Sequence, residues 1–99
     1  MDRRRVVVTG IGSVTALGCG HQQTWEGLLE GRSGIDTVAS FDPSDFTSQI
    51  AGEARDFNPL DHFAKPEARK MDRYTQFALY SADLAVQDAG IDFGYNWNI

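Results

Sequence analysis

Apolar residues fall along this chain in short runs and helical spacings, separated by stretches rich in Gly, Asp, Ser and Pro. The first run is Val6-Val7-Val8, within residues 4–9. Successive side chains of an extended backbone point to opposite faces, so three valines in a row are apolar on both. Their β-branching predicts a strand, and the two-sided pattern predicts one buried inside a parallel sheet. Gly10 and Gly12 end it, and a small-residue stretch follows over residues 13–20. Trp25, Leu28 and Leu29 stand at i, i+3 and i+4 and share a face. They predict a helix that begins near His21 or Gln22 and stops at Gly31. Gly27 weakens that helix by about 0.5–1 kcal/mol relative to alanine, so it depends on tertiary packing.

Residues 32–46 read as a loop, with Ser33-Gly34 and then Phe41-Asp42-Pro43-Ser44-Asp45-Phe46 supplying turn formers. A short strand is expected within residues 49–55, around Ile50, Ala51 and Ala54. Pro59 is placed to open a short helix over residues 60–64, and Pro66 to open another. The strongest element is a helix over residues 71–89, which contain neither Gly nor Pro, with Asp72 as N-cap and Gly90 as C-cap. Tyr74, Ala78, Ala82, Ala85 and Ala89 give it a mostly small stripe, widened by Phe77, Tyr80 and Leu84. Small residues on one face let another backbone come close, so this helix is expected to pack against a sheet or a second helix. Beyond Gly90, Phe93, Tyr95 and Trp97 alternate, which reads as a strand or a frayed tail.

Composition narrows the class. Ninety-nine residues, 41% of them hydrophobic, provide for one modest core and not for two domains. A net charge of −5 argues against a general nucleic-acid binder. The single cysteine permits no internal disulfide and fits a reducing compartment. Apolar runs such as Val6 to Val8 fall far short of the roughly 20 residues of a membrane span. Residues 1–5 are basic but lack the apolar stretch of about 7–15 residues that a signal peptide carries. A cytoplasmic protein that binds neither membrane nor nucleic acid is the expectation.

Several constellations invite a chemical reading. Thr9-Gly10-Ile11-Gly12 after a strand resembles the start of a dinucleotide fingerprint, but Thr15 stands where the third glycine belongs. A tight strand-to-loop turn is the plainer reading. Cys19 precedes a helix and lies near His21 in sequence, so a nucleophile is conceivable. An inert, half-buried thiol is favoured, because free cysteine usually packs. Cys19, His21 and His62 match no zinc spacing, so no metal site is expected. Asp42, Asp45, Asp56 and Asp61 are scattered through loops without calcium-loop periodicity. If the segment from Pro66 onward is helical, Lys65, Arg69 and Arg73 stack at i, i+4 and i+8 with Lys70 beside them. On composition alone this is a solvated face neutralised by Glu67 and Asp72.

Taken together, seven segments in register from about residue 3 to residue 92 resemble the N-terminal region of the beta-ketoacyl-acyl carrier protein synthases. The resemblance is nearest to the 3-oxoacyl synthase II type. The segments are Arg4-Arg5-Val6-Val7-Val8-Thr9-Gly10-Ile11-Gly12 and Thr24-Trp25-Glu26-Gly27-Leu28-Leu29-Glu30-Gly31-Arg32-Ser33-Gly34-Ile35, then Phe41-Asp42 and Ala51-Gly52-Glu53. Asp56-Phe57-Asn58-Pro59 and Glu67-Ala68-Arg69-Lys70-Met71-Asp72-Arg73-Tyr74-Thr75-Gln76 follow, and Ala89-Gly90 closes the series.

The resemblance implies an α/β protein with the thiolase-like layered fold, of which residues 1–99 would be an N-terminal partial segment. It makes residues 6–9 an interior strand. It implies decarboxylating condensation of acyl and malonyl groups borne on acyl carrier protein, in fatty acid biosynthesis, by a homodimer in the full-length family. No cofactor is implied. The family's nucleophilic cysteine and two histidines belong to later motifs, so no catalytic residue carries over to Cys19, His21 or His62. What does carry over is docking of the acidic carrier protein: Lys65, Arg69 and Lys70 stand at or beside the family's basic positions. This reverses the preference for a merely solvated face. Pro66 departs from the pattern, where relatives often have a basic residue, and residues 93–99 depart from it as well.

The main expectation is thus the N-terminal piece of a 3-oxoacyl-acyl carrier protein synthase, inactive alone. The alternatives are a non-catalytic paralogue that binds carrier protein, a polyketide-type ketosynthase fragment, and, more weakly, half of a dinucleotide-binding domain. Bare strand edges and the alanine-rich helix face are expected to promote association or a loosely packed monomer unless a complementing fragment is present.

Overall fold

The structure, a computed structural model, describes residues 2–94. Tyr95 and Trp97 of the alternating tail lie outside the described residues, and residues 91–94 form neither helix nor strand. Four very short strands and three helices follow in order. They are β1 (Val14–Thr15), β2 (Gly18–Cys19), α1 (His21–Leu29), β3 (Ile35–Thr37), β4 (Ile50–Gly52), a 3₁₀ turn (Pro59–Asp61), α2 (Lys65–Arg69) and α3 (Arg73–Ala89). β1 pairs antiparallel with β2, and β3 pairs antiparallel with β4, with Asp36 opposite Ala51. The strands thus make two separate two-stranded ladders.

The helices fall where spacing and caps place them. α1 begins at His21 and ends two residues before Gly31. α3 ends at Gly90, whose φ of 68° is the left-handed conformation a helix C-cap favours. Asp72 holds the N-cap position of α3, although its side chain makes no capping bond. Asn58 caps the 3₁₀ turn by accepting from the Leu60 N–H at 3.0 Å, and the turn is shorter than the helix expected over residues 60–64. β4 matches the expected strand except for Ala54, which lies beyond it. β3 replaces part of the expected loop, because Ile35 to Thr37 finds a partner some 15 residues on that local pattern does not reveal.

Three expectations are corrected. Residues 6–9 are not an interior strand: among the described residues no strand is formed before Val14, and Val6, Val7 and Val8 are 92%, 70% and 83% exposed. Extended backbone becomes a strand only beside another, and neither ladder reaches these residues. The layered sheet of the implied fold is therefore not assembled by the described residues. Second, the apolar face of α1 is bare: Trp25, Leu28 and Leu29 are more than half exposed, and Gly27 is the buried residue. Third, only the Ala85 and Ala89 end of the small-residue stripe of α3 packs. Tyr74, Ala78 and Ala82 are exposed, while Phe77 and Tyr80 turn inward and bring Ser81, Ala85 and Ala89 against the N-terminal segment. A Cβ on Gly12 would strike the Ser81 carbonyl, and one on Gly10 would come within 2.8 Å of the Ala89 Cβ. The Ile11 N–H donates to the Asp88 carboxylate at 3.0 Å and fixes this crossing.

The core is small and lies between the residue 54–63 segment and α3. Phe57 is 5% exposed and meets the rings of Phe77 and Tyr80 edge-on, at 5.2 and 5.4 Å. His62 packs edge-on to Tyr80 at 4.6 Å and faces the Asp83 carboxylate at 3.6 Å. The radius of gyration is 16.9 Å, against about 13 Å for a compact domain of this length. Among the described residues no helix is long and apolar enough to cross a membrane.

An unpaired valine edge beside bare apolar side chains is a template for self-association. Sedimentation of the chain should show concentration-dependent association, and Val7→Lys should shift the distribution toward monomer by at least severalfold in apparent association constant. Identical distributions for the two chains would show that the edge is not the contact.

Candidate functional site

Lys65, Arg69 and Lys70 surround α2. Lys65 is its first residue, Arg69 its last, and Lys70 its C-cap. Lys65 and Arg69 stand four apart and share a face, with Lys70 next in sequence. All three are exposed. None forms an ion pair among the described residues, whose salt bridges are Arg32–Glu30, Arg55–Asp36, Arg55–Glu53 and His62–Asp83. Glu67 and Asp72, the expected neutralising partners, are thus not engaged with them. Arg69 in the last turn is favoured by the helix dipole. On a chain of net charge −5, this is a compact positive surface.

Arg73 does not join them. α2 stops at Arg69, and Asp72 takes an extended backbone with ψ of 158° before α3 starts. The basic residues therefore do not stack along one helix. The guanidinium of Arg73 lies against the aromatic rings while the residue stays exposed, 5.4 Å from the Phe57 ring centre and 5.1 Å from that of Phe77. It donates to the Ala54 carbonyl at 3.0 Å. The break exchanges like-charge stacking for cation–π contact, worth about 0.5–2 kcal/mol.

The other candidates part company. Cys19 is half-buried at the end of β2, and its N–H donates to the Gln23 side-chain oxygen at 3.0 Å. Burial pushes its thiol up, Asp56 adds to the effect, and Arg73 opposes it. A thiol held protonated is a poor nucleophile. His21 lies exposed at the start of α1, and His62 is occupied with Tyr80 and Asp83. Among the described residues no three His, Cys, Asp or Glu side chains are grouped to hold a metal. Gly10 and Gly12 are filled by α3, and the Ile11 N–H is taken by Asp88. The turn is therefore built for close helix contact, and its backbone is not open to a pyrophosphate.

Two residues carry the surroundings of the site without having been singled out in the sequence. Gln76 is 7% exposed and donates its side-chain amide to the Ala68 carbonyl of α2 at 3.1 Å. Its position one turn before Tyr80, itself one turn before Leu84, was the available signal. Glu53 accepts from the N–H groups of Ala39 at 2.9 Å and Ser40 at 3.1 Å, and meets Arg55 at 3.3 Å. With Ser40, Arg55, Arg73 and Phe77 it lines an open groove of about 740 Å³. The Ser40 hydroxyl and the Ala39 N–H hold its carboxyl down to about 2. Both arginines of the groove already serve backbone carbonyls, Arg55 that of Thr37 and Arg73 that of Ala54.

With this geometry in view, comparison with known proteins places the chain. Residues 3–94 match the family described as beta-ketoacyl synthase, N-terminal domain, and the chain belongs to that family. The 3-oxoacyl-[acyl-carrier-protein] synthase 2 of Staphylococcus aureus (strain COL) is 43% identical over 95 residues, which are 96% of this chain and 23% of that protein. The synthase 2 of Synechocystis sp. is 40% identical over 89 residues, 90% of this chain and 21% of the relative. Among solved structures, the ishigamide ketosynthase/chain length factor is similar with a TM-score of 0.81 and 37% identity, over 92% of this chain and 23% of its own. A beta-ketoacyl synthase from Burkholderia phymatum STM815 is similar with a TM-score of 0.71 and 29% identity, over 92% of this chain and 22% of its own. The chain thus spans under a quarter of the length of these relatives and shares the α/β fold of that part of the ketosynthases.

Because the folded Glu53 carboxyl has a depressed pKa, the stability it confers is present above its unfolded value near 4.5 and is lost as pH falls toward 2. Glu53→Gln should lower the urea midpoint at pH 7. The difference from wild type should shrink steadily between about pH 4.5 and 2. A difference independent of pH over that window would contradict the hydrogen-bonded carboxylate.

Proposed function

We propose that residues 1–99 form the opening, carrier-docking part of a cytoplasmic 3-oxoacyl-acyl carrier protein synthase of the synthase 2 type, with the thiolase-like layered fold completed by further sequence. The enzyme joins an acyl group to the two-carbon unit left when malonyl-carrier protein loses carbon dioxide, in fatty acid elongation, and works as a homodimer. Family membership and the 43% identity to a synthase 2 support this reading. The observation that carries the docking role is the exposed trio Lys65, Arg69 and Lys70, without ion-pair partners among the described residues of an acidic chain. None of these 99 residues occupies a motif of the family's nucleophile or catalytic histidines, so docking rather than condensation is assigned to them.

Exposed cations attract an acidic partner at long range and set its approach more than its final affinity. Each exposed pair is worth about 0.2–1 kcal/mol and is screened with a Debye length of about 8 Å at physiological salt. A second reading, a polyketide-type ketosynthase, is favoured by the likeness to a ketosynthase/chain length factor at TM-score 0.81. It shares the docking surface and differs in the acyl chains handled.

Titrating labelled acyl carrier protein with dilute chain should give weak, salt-sensitive binding. Arg69→Glu with Lys70→Glu should weaken it by roughly tenfold or more at low salt and flatten its salt dependence. Unchanged binding in that double variant would remove the docking assignment. Incubation with acyl- and malonyl-carrier proteins should yield no 3-oxoacyl product from these 99 residues, and robust product would refute the division of labour.

A further inference from the structure

α2 is five residues long, with Pro66 in its first turn and no side-chain cap at Ala64. An isolated helix needs about 12–15 residues to be even marginal in water. Its orientation, and that of the cations on it, must therefore come from tertiary contacts. Two of the three most buried side chains among the described residues meet there: Ala68 at 8% and Gln76 at 7% exposure. The Gln76 amide reaches from the second turn of α3 to the Ala68 carbonyl at 3.1 Å. That carbonyl belongs to the planar peptide joining Ala68 to Arg69. Holding the oxygen fixes the plane from which Arg69 departs. The same oxygen accepts from the Met71 N–H at 3.3 Å, and the neighbouring Lys70 N–H donates to the Glu67 carbonyl at 3.1 Å, so the end of α2 closes around the anchored peptide.

We propose that Gln76 is a positioning residue for the docking surface: its buried amide holds the Ala68–Arg69 peptide and so orders Lys65, Arg69 and Lys70 before a partner arrives. The inference rests on the carrier-docking reading. It adds that the surface is preorganised by a hydrogen bond from a helix bearing none of the three docking residues. Preordered charges lose less side-chain and backbone freedom on association. A buried glutamine that only filled space would be replaceable by an apolar side chain of like size with no effect on the partner.

The test uses Gln76→Met, which keeps the volume and removes the donor, alone and with Lys65, Arg69 and Lys70 all changed to Gln. Acyl carrier protein binding is followed by fluorescence anisotropy, and amide hydrogen exchange is followed residue by residue. Gln76→Met should weaken binding about two- to tenfold, the equilibrium equivalent of one hydrogen bond. It should speed exchange at Lys70 and Met71, leave the α1 amides alone, and have no further effect once the three cations are gone. Wild-type affinity in Gln76→Met would overturn the proposal. So would an equal loss with and without the cations, or exchange accelerated throughout the chain. If the triple Gln variant instead binds like wild type, the docking reading fails, while exchange at Lys70 and Met71 still reports whether Gln76 orders α2.

Discussion

Phe57 lies edge-on to Phe77 and Tyr80 and under the guanidinium of Arg73, and it is 5% exposed in a chain whose other large apolar side chains are mostly bare. The segment after the β3–β4 ladder meets α3 chiefly through that ring. Arg73 extends the contact by bonding the Ala54 carbonyl, which ties the backbone just before Phe57 to the start of α3. His62 and Asp83 close the other side, where the 3₁₀ turn meets the middle of the helix. Aromatic pairs of this kind contribute about 0.5–1.5 kcal/mol each beyond their burial. A cluster of three rings and one cation is a large share of the cohesion in so open a chain.

The same cluster sorts the cations. Lys65, Arg69, Lys70 and Arg73 are close in sequence, alike in charge and all exposed, yet only Arg73 lies against two phenylalanine rings among the described residues. Ending α2 before Arg73 makes this possible, and Gln76 then fixes the shortened helix from beneath. The break at residues 70–72 separates Lys65 and Arg69 on α2 from Arg73 on α3.

A second constraint acts at the other end of α3. Gly10 and Gly12 carry no Cβ, so the N-terminal segment can cross the helix at Ser81, Ala85 and Ala89 in direct backbone contact. This brings the valine segment to the helix without covering it. Three consecutive β-branched residues need neighbours on both edges and both faces, and two-residue ladders elsewhere in the chain cannot provide them. The likeness to ketosynthases more than four times as long accords with that unmet demand.

Local signals in the sequence were enough for α1, for α3 with its left-handed Gly90, for the two proline-led turns and for β4. Each depends on spacing or capping within a few residues. The seven-segment resemblance was enough for the family, and the positions of Lys65, Arg69 and Lys70 were legible because exposed charge needs no partner. The pairing of β3 with β4 and the β1–β2 hairpin were not legible, since a two- or three-residue ladder leaves no periodicity to read. Nor were the part of α3 that packs, the contact of Arg73 with two aromatic rings, the hydrogen bonds to Glu53 or the bond from Gln76 to Ala68. By itself the sequence determined which segments are helical, which cations are available and which family the chain belongs to. Tertiary structure decided which of those cations stay free of aromatic and backbone contacts, and whether the valines become a strand. Both depend on contacts between residues distant in sequence, and spacing along one segment carries no record of them.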